Sequence, residues 1–204
     1  MLHYETVFPD TLELLKTLMN IPELEGFNLA GGTSLALQIG HRLSYDLDMF
    51  GNRPFEYQEI MDLLAPIATV KTMSQSRHIL ILDVEEIKVD FVNYRYPLIN
   101  PPLLIDGLRI LSTADIAAMK LAAIAGRGRK RDFTDLYFLL QEFSLREILD
   151  FYNQKYADGS EMMIARSLTY FDDAETDEDL KLFKKVKWEK VKSTILKEVN
   201  LLFR

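Results

Sequence analysis

Residues 28–50 read NLAGGTSLALQIGHRLSYDLDMF. A glycine pair stands ahead of a short apolar run, and two aspartates spaced by one residue follow it. Phe27–Ala30 has the character of a short strand, Gly31 and Gly32 make a turn, and Thr33–Ile39 reads as a helix with Thr33 or Ser34 near its start and Gly40 as its stop. Tyr45–Phe50 alternates, which places Asp46 and Asp48 on one face of a strand and Leu47 and Met49 on the other. Two carboxylates on one face are suited to a hard divalent cation. A glycine turn lets the backbone approach a ligand, and the N–H groups at the start of a helix face an anion there. Taken together, the run reads either as a metal held beside a phosphate or as a plain glycine turn followed by two surface aspartates.

The rest of the chain sets bounds on that reading. At 204 residues with 48% hydrophobic content, the chain suits one domain or two small lobes around a real core. A formal net charge of -7 argues against long-range attraction of nucleic acid and leaves only local basic patches for it. The absence of cysteine excludes disulfides, thiolate catalysis and thiolate metal sites, and three scattered histidines make a histidine-rich zinc site a poor fit. The first residues lack the pattern of a signal peptide and no apolar stretch is long enough to span a bilayer. The expectation is a soluble cytoplasmic protein with no membrane partner.

Outside the opening run, helical spacing covers Asp10–Met19 and Glu56–Ile67. Strand patterns cover Arg77–Val84 and Glu86–Asn93, close enough for a hairpin. In the second, Ile87, Val89 and Phe91 face one way, and Lys88, Asp90 and Val92 the other. Prolines 97, 101 and 102 mark a break, and Leu103–Leu111 reads as a further short strand or a loop. Beyond Ser112 the character is helical: Ala114–Ala125, Phe133–Leu140, Leu145–Tyr156, Met162–Leu168 and Leu180–Leu202. The order is α-β-α-β-α-β-β followed by a helical lobe.

Asp90, on a neighbouring strand, is positioned to make a third carboxylate with Asp46 and Asp48. Three carboxylates can hold one or two magnesium ions against substrate phosphates. Arg42 either contacts phosphate, supports a carboxylate or is a surface arginine in a loop. Lys120 lies in a helix of small apolar residues, where it either snorkels to solvent or reaches a triphosphate. Arg127, Arg129, Lys130 and Arg131 form the densest basic cluster, either a nucleotide or nucleic-acid contact or a solvated loop. Asp132 and Asp135, three apart on a helix, share a face; Asp132 can cap that helix, and Asp135 can pair with Lys120 or an arginine. The lysine-rich tail after the acidic run 172–179 reads as an amphipathic packing helix with some lysines paired internally.

The combined pattern over residues 28–140 resembles AbiEii-type nucleotidyltransferases, within the DNA polymerase beta-like nucleotidyltransferase superfamily. The resemblance rests on Gly31-Gly32-Thr33-Ser34, on Arg42-x-Ser44-x-Asp46-Leu47-Asp48, on Lys88-Val89-Asp90-Phe91, and on Asp115–Leu136 with Lys120, Arg127, Lys130, Asp132 and Asp135. It implies an α+β fold: a minimal nucleotidyltransferase mixed sheet with flanking helices over 1–110, and a helical lobe over 111–204 completing the active-site cleft. It implies Asp46, Asp48 and Asp90 as metal-binding and catalytic. It also implies Gly31, Gly32, Thr33, Ser34, Arg42, Lys120, Arg127 and Lys130 as nucleotide-binding, with Lys120 also catalytic and Asp132 and Asp135 in support. The implied cofactor is Mg2+, with Mn2+ as its substitute, and the implied substrate is an NTP. The implied reaction moves a nucleotidyl group to an acceptor hydroxyl on tRNA, other RNA or protein. Some relatives are toxins of bacterial toxin–antitoxin pairs, which implies a cognate antitoxin. The alternatives are a non-catalytic nucleotide- or partner-binding module of the same fold, and a phosphohydrolase.

Overall fold

A computed structural model describes residues 1–202. These fall into two units, one built on a sheet and one on helices. The sheet unit comprises Met1–Ile39, Ser44–Tyr96 and Pro102–Leu111, and the helical unit comprises Gly40–Leu43, Pro97–Pro101 and the chain from Ser112 on. The expected helical lobe ran to residue 204, and its last two residues lie outside the described chain.

In the sheet unit, α1 (Pro9–Met19) opens with proline at its first position, where the missing N–H has no intrahelical partner to lose. It buries Leu15, Leu18 and Met19. There follow β1 (Phe27–Ala30), α2 (Gly31–Ile39), β2 (Leu47–Gly51), α3 (Tyr57–Leu64), β3 (Val70–Gln75), β4 (Ile79–Val84), β5 (Ile87–Asn93), β6 (Leu103–Ile105) and β7 (Leu108–Ile110). The strands form one sheet in the order β3-β4-β5-β2-β1-β7-β6. It is mixed: β2 runs parallel to β5 and β1 parallel to β7, and the other neighbours are antiparallel. This is the expected α+β architecture, with two additions.

The first is β3, an exposed and mostly polar edge strand. The second is the β6–β7 hairpin, in the stretch given as a strand or a loop. Its turn is Asp106-Gly107, both at positive φ, the backbone that a two-residue hairpin turn demands. Alternation places Leu47 and Met49 of β2, and Val89 and Phe91 of β5, in the core, while Asp48 and Asp90 are only half-buried. Phe27 meets Phe91 edge-on at 5.3 Å inside that core. Arg109 on β7 closes the other end. Its guanidinium donates to the carbonyls of Phe27 (3.1 Å), Met19 (2.9 Å) and Leu24 (3.1 Å), tying the connection between α1 and β1 to the sheet.

The helical unit contains α4 (Thr113–Arg127), α5 (Lys130–Leu139), α6 (Leu145–Lys155), α7 (Glu161–Leu168), the single turn α8 (Asp172–Glu175) and α9 (Trp188–Leu202). Serines cap three of them: Ser112 accepts from Asp115 N–H, Ser160 from Met163 N–H, and Ser144 forms a reciprocal capping box with Glu147. The expected helix from Leu180 begins only at Trp188. Ahead of it the backbone pairs with Gly40–Leu43: Leu43 N–H donates to the Lys181 carbonyl and Phe183 N–H to that of His41, both at 2.9 Å. Those bonds take the groups that would have continued the helix upstream. The second discontinuous piece, Pro97–Pro101, is held by a buried ion pair. Lys155 Nζ lies 2.7 Å from Asp115 Oδ1 and donates to the Pro97 carbonyl, and Asp115 accepts the N–H groups of Ile99 and Asn100. Among the described residues, no helix is long and apolar enough to cross a membrane.

Replacing Arg109 by methionine strands three carbonyls, so urea unfolding is expected to show a loss of about 1–3 kcal/mol with an unchanged slope. Lysine at that position recovers only part of the loss, because an ammonium does not reproduce the guanidinium fork.

Candidate functional site

The two strand aspartates of the sheet unit are placed by register. Ala30, Asp48 and Asp90 stand in one cross-strand row on β1, β2 and β5. Residues aligned across a sheet project to the same face, so the Asp48 and Asp90 side chains are neighbours. Asp46 lies two residues before Asp48, just ahead of β2, and is half-buried like it. Gly31 begins α2 at φ +64, and a Cβ built on it would overlap the Asp48 carboxylate. Glycine at this position therefore does two things. It supplies the left-handed backbone that leads from β1 into the helix, and it lets a carboxylate pack against the helix N-terminus.

Asp90 already carries a cation. Lys88, two residues earlier on the same strand face, places Nζ 2.6 Å from Oδ1 and 2.5 Å from Oδ2 of Asp90. Among the described residues no group of three or more metal-ligating side chains gathers. The donor chemistry nevertheless suits a hard divalent ion: adjacent carboxylates, no softer ligand, and a glycine cradle beside them.

The hydroxyls at the start of α2 face inward. Thr33 Oγ1 donates to the Asp46 carbonyl at 2.5 Å and lies 2.9 Å from Ser44 Oγ. Ser34 is fully buried, with Gln38 Nε2 3.2 Å from its Oγ. Thr33 thus fixes the loop that leads to the aspartates, and the groups left for an anion at this turn are the glycine N–H groups.

The helical unit holds the second constellation. Asp135, fully buried on α5, accepts two bonds from the Arg42 guanidinium, 2.6 Å from Nε and 2.9 Å from Nη2. It also lies 2.7 Å from His41 Nε2 and 2.6 Å from Lys120 Nζ. Lys120 in turn reaches Asp132 at 2.9 Å, and Arg127 Nε reaches Asp132 at 3.0 Å. Arg42 is thus not a surface arginine and Lys120 does not snorkel; both are about 5% exposed or less. Asp132 does not cap α5. Arg129 holds the capping position, and the Asp177 carboxylate takes the Lys130 N–H at 2.8 Å from outside the helix. Lys130 Nζ donates to the Asp177 carbonyl and lies 3.3 Å from Asp179, and Arg129 pairs with Asp177, so the basic loop and the acidic run neutralise each other locally. The tail lysines behave as expected in one case, Lys192 on Glu175 at 2.6 Å.

Charge in this network follows from burial and partners. Burial opposes the Asp135 carboxylate, yet Arg42 and Lys120 beside it hold it well below the usual carboxylate range. Burial likewise opposes the Lys120 ammonium, and Asp135 and Asp132 reverse this and raise its pKa. Asp132 is lowered against its own burial by Lys120 and Arg127. His41 ends on the other side: burial lowers it, and the Asp135 bond recovers only part of the loss. A neutral His41 donates from Nε2 to Asp135 and keeps its buried Nδ1 without a hydrogen-bond partner. His41 and Lys88 are the site residues that the sequence reasoning did not single out. His41 follows Gly40 in a loop and carries no periodic signal, whereas Lys88 was visible as the face-mate of Asp90.

A sheet row of two aspartates beside a glycine-led helix, on a mixed sheet followed by helices, defines the nucleotidyltransferase class of fold. Solved structures bear this out. MenT4, a nucleotidyltransferase toxin of Mycobacterium tuberculosis H37Rv, superposes with a TM-score of 0.68 at 18% identity, covering 95% of this chain and 82% of that one. JHP933 of Helicobacter pylori gives 0.57 at 17% identity, covering 96% and 93%. At these identities the likeness speaks for the fold. The sequence itself goes further: the pattern of the family described as "Nucleotidyl transferase AbiEii toxin, Type IV TA system" matches residues 13–202. An uncharacterized protein of Aquifex aeolicus (strain VF5) is 37% identical over 196 residues, covering 92% of this chain and 93% of that protein. The chain belongs to the AbiEii nucleotidyl transferase family, and it is an enzyme of the nucleotidyltransferase class.

Two outcomes follow for the buried network. Asp135→Asn leaves Arg42 and Lys120 without their shared counter-charge, and chemical denaturation is expected to show a loss of about 3–5 kcal/mol. The second concerns pH. His41 binds its proton less readily folded than unfolded, so its contribution is complete above its ordinary pKa of 6.5 and is lost as pH falls from there toward its lowered folded value. Stability measured by urea titration is expected to decline below that point by up to about 1.4 kcal/mol per pH unit, and His41→Gln to remove that part of the slope.

Proposed function

We propose that the protein transfers a nucleotidyl group from an NTP to an acceptor hydroxyl on RNA, tRNA among the candidates, with release of pyrophosphate. In this reading Asp46, Asp48 and Asp90 hold Mg2+, and Mn2+ can replace it. When bound, the ion offsets phosphate charge and orients the reacting oxygens. The backbone of Gly31 and Gly32 receives the phosphates at the head of α2. Asp90 can assist the acceptor hydroxyl, and Lys88 beside it offsets the charge of that carboxylate. Thr33 and Ser34 serve this end by fixing the turn and the loop to Asp46.

The observation that supports the reading best is the packing of the Asp48 carboxylate on Gly31, in register with Asp90. It sets the carboxylates beside the helix start, as a shared metal and triphosphate require. Arg42, Lys120, Arg127 and Lys130 were given nucleotide-binding roles by resemblance. Each has a carboxylate or carbonyl partner here: Asp132 and Asp135 set the positions of Arg42, Lys120 and Arg127, and the Asp177 carbonyl sets that of Lys130. We further propose that the chain acts in the cytoplasm as the toxin of a toxin–antitoxin pair with a cognate antitoxin as partner. The family's designation as a toxin of type IV TA systems and the fold shared with MenT4, a nucleotidyltransferase toxin, support this reading.

The test is transfer of label from each α-labelled NTP, with Mg2+, into total RNA and into protein. Labelled RNA and free pyrophosphate are expected from the wild type, with Asp48→Asn and Asp90→Asn each lower by more than about 100-fold. Orthophosphate release without a labelled acceptor would instead indicate a phosphohydrolase.

A further inference from the structure

A cavity of about 450 Å3 opens on the helical unit where α4 and α7 end. Ile124 and Ala125 give it an apolar wall, and Arg127, Arg166 and Tyr170 give it cations and an aromatic ring. Gly126 leaves open space where a side chain would stand. Tyr170 is 52% exposed, and so is the side chain of Arg127, whose Nε bond to Asp132 fixes its direction. Arg166 lies in the last turn of α7 and Tyr170 just past its end, so a guanidinium and a phenol ring both line the cavity.

The acceptors present narrow the ligand. Helix C-termini present carbonyl oxygens and the negative end of the helix dipole, and Asp173 adds a carboxylate to the lining. A bare phosphate or pyrophosphate would meet repulsion from these groups. A nucleotide satisfies both kinds of lining: base amino groups donate to carbonyl and carboxylate oxygens, the base stacks on Tyr170, and the phosphate pairs with arginine. The volume lies within the range of about 300–1,000 Å3 usual for small-ligand sites. The net charge of -7 favours such a local, stacking-led contact over a broad basic groove.

We propose that this cavity binds one unpaired nucleotide of a single-stranded RNA segment and so selects the acceptor. This rests on the transfer to RNA proposed above. Single-stranded RNA is preferred to a duplex because the ring can stack only on an exposed base.

Fluorescence anisotropy of a labelled eight-nucleotide single-stranded RNA, titrated with the full chain without NTP, tests it. Tyr170→Ala is expected to weaken binding about tenfold while Tyr170→Phe retains it, as stacking requires. Arg166→Ala is expected to lower the slope of log affinity against log salt by about 0.7, the loss of one phosphate contact. These residues are exposed, and circular dichroism confirms that the variants fold. Wild-type affinity and salt slope in both Tyr170→Ala and Arg166→Ala would overturn the proposal, as would label transfer into protein alone with no binding of the oligonucleotide. Asp48→Asn separates the two readings. If it abolishes transfer while the cavity variants bind normally, transfer stands and the cavity proposal falls. If the cavity variants lose RNA binding and no label is transferred by the wild type, the cavity stands and the transfer reading falls.

Discussion

One buried carboxylate organises the helical unit. Asp135 receives two bonds from Arg42, one from His41 and an ion pair from Lys120, all without exposure to solvent. A fully buried charge survives only when its lost hydration is replaced, and here every nearby donor is committed to that task. The result is that Gly40–Leu43, distant in sequence from α4 and α5, belongs to the helical unit. The same four residues accept and donate backbone bonds with Lys181 and Phe183, so the segment is fixed from two sides. The chain passes into the sheet unit at Ser44, two residues before Asp46.

In the sheet unit the equivalent constraint is steric. The absence of one Cβ, at Gly31, lets the Asp48 carboxylate stand against the start of α2. Negative charge at that position is favoured by the helix dipole, and the register with Asp90 then follows from parallel pairing of β2 and β5. Thr33 spends its hydroxyl on the Asp46 carbonyl. A side chain that reads as a ligand donor can thus serve the same site indirectly, by holding the backbone of another residue in place.

The legible parts of the fold were those where one periodicity dominates. β1, β2, β4 and β5 have strand patterns, and α1 and α4 through α7 follow helical spacing, with a proline start in α1 and serine caps in α4, α6 and α7, so their positions emerge within a few residues. β3 was not legible because Val70–Gln75 is a polar edge strand with little to bury. The β6–β7 hairpin was only half-seen, although Asp106-Gly107 carries the turn signal and Leu108 and Ile110 alternate around Arg109. The late start of α9 was invisible because lysine-rich spacing over residues 180–187 fits a helix, while long-range pairing with residues 40–43 overrides it. At the site, glycines and carboxylates were readable from spacing. The pairing of Asp135 with Lys120 and with an arginine was among the readings offered, but its burial and the choice of Arg42 were not legible, since they depend on segments that meet only in three dimensions.

The discontinuous makeup of the helical unit also bears on the order in which the chain can fold. A ribosome releases the sheet unit's last strand well before α5, so residues 41 and 42 emerge long before their partner at 135. Until then a histidine and an arginine that end buried must remain hydrated. The sheet can pair its strands early, whereas residues 40–43 reach their final partners only once α5 and residues 181–183 have been made. A polypeptide cut after β7 would therefore carry His41 and Arg42 without the carboxylate that pairs with both.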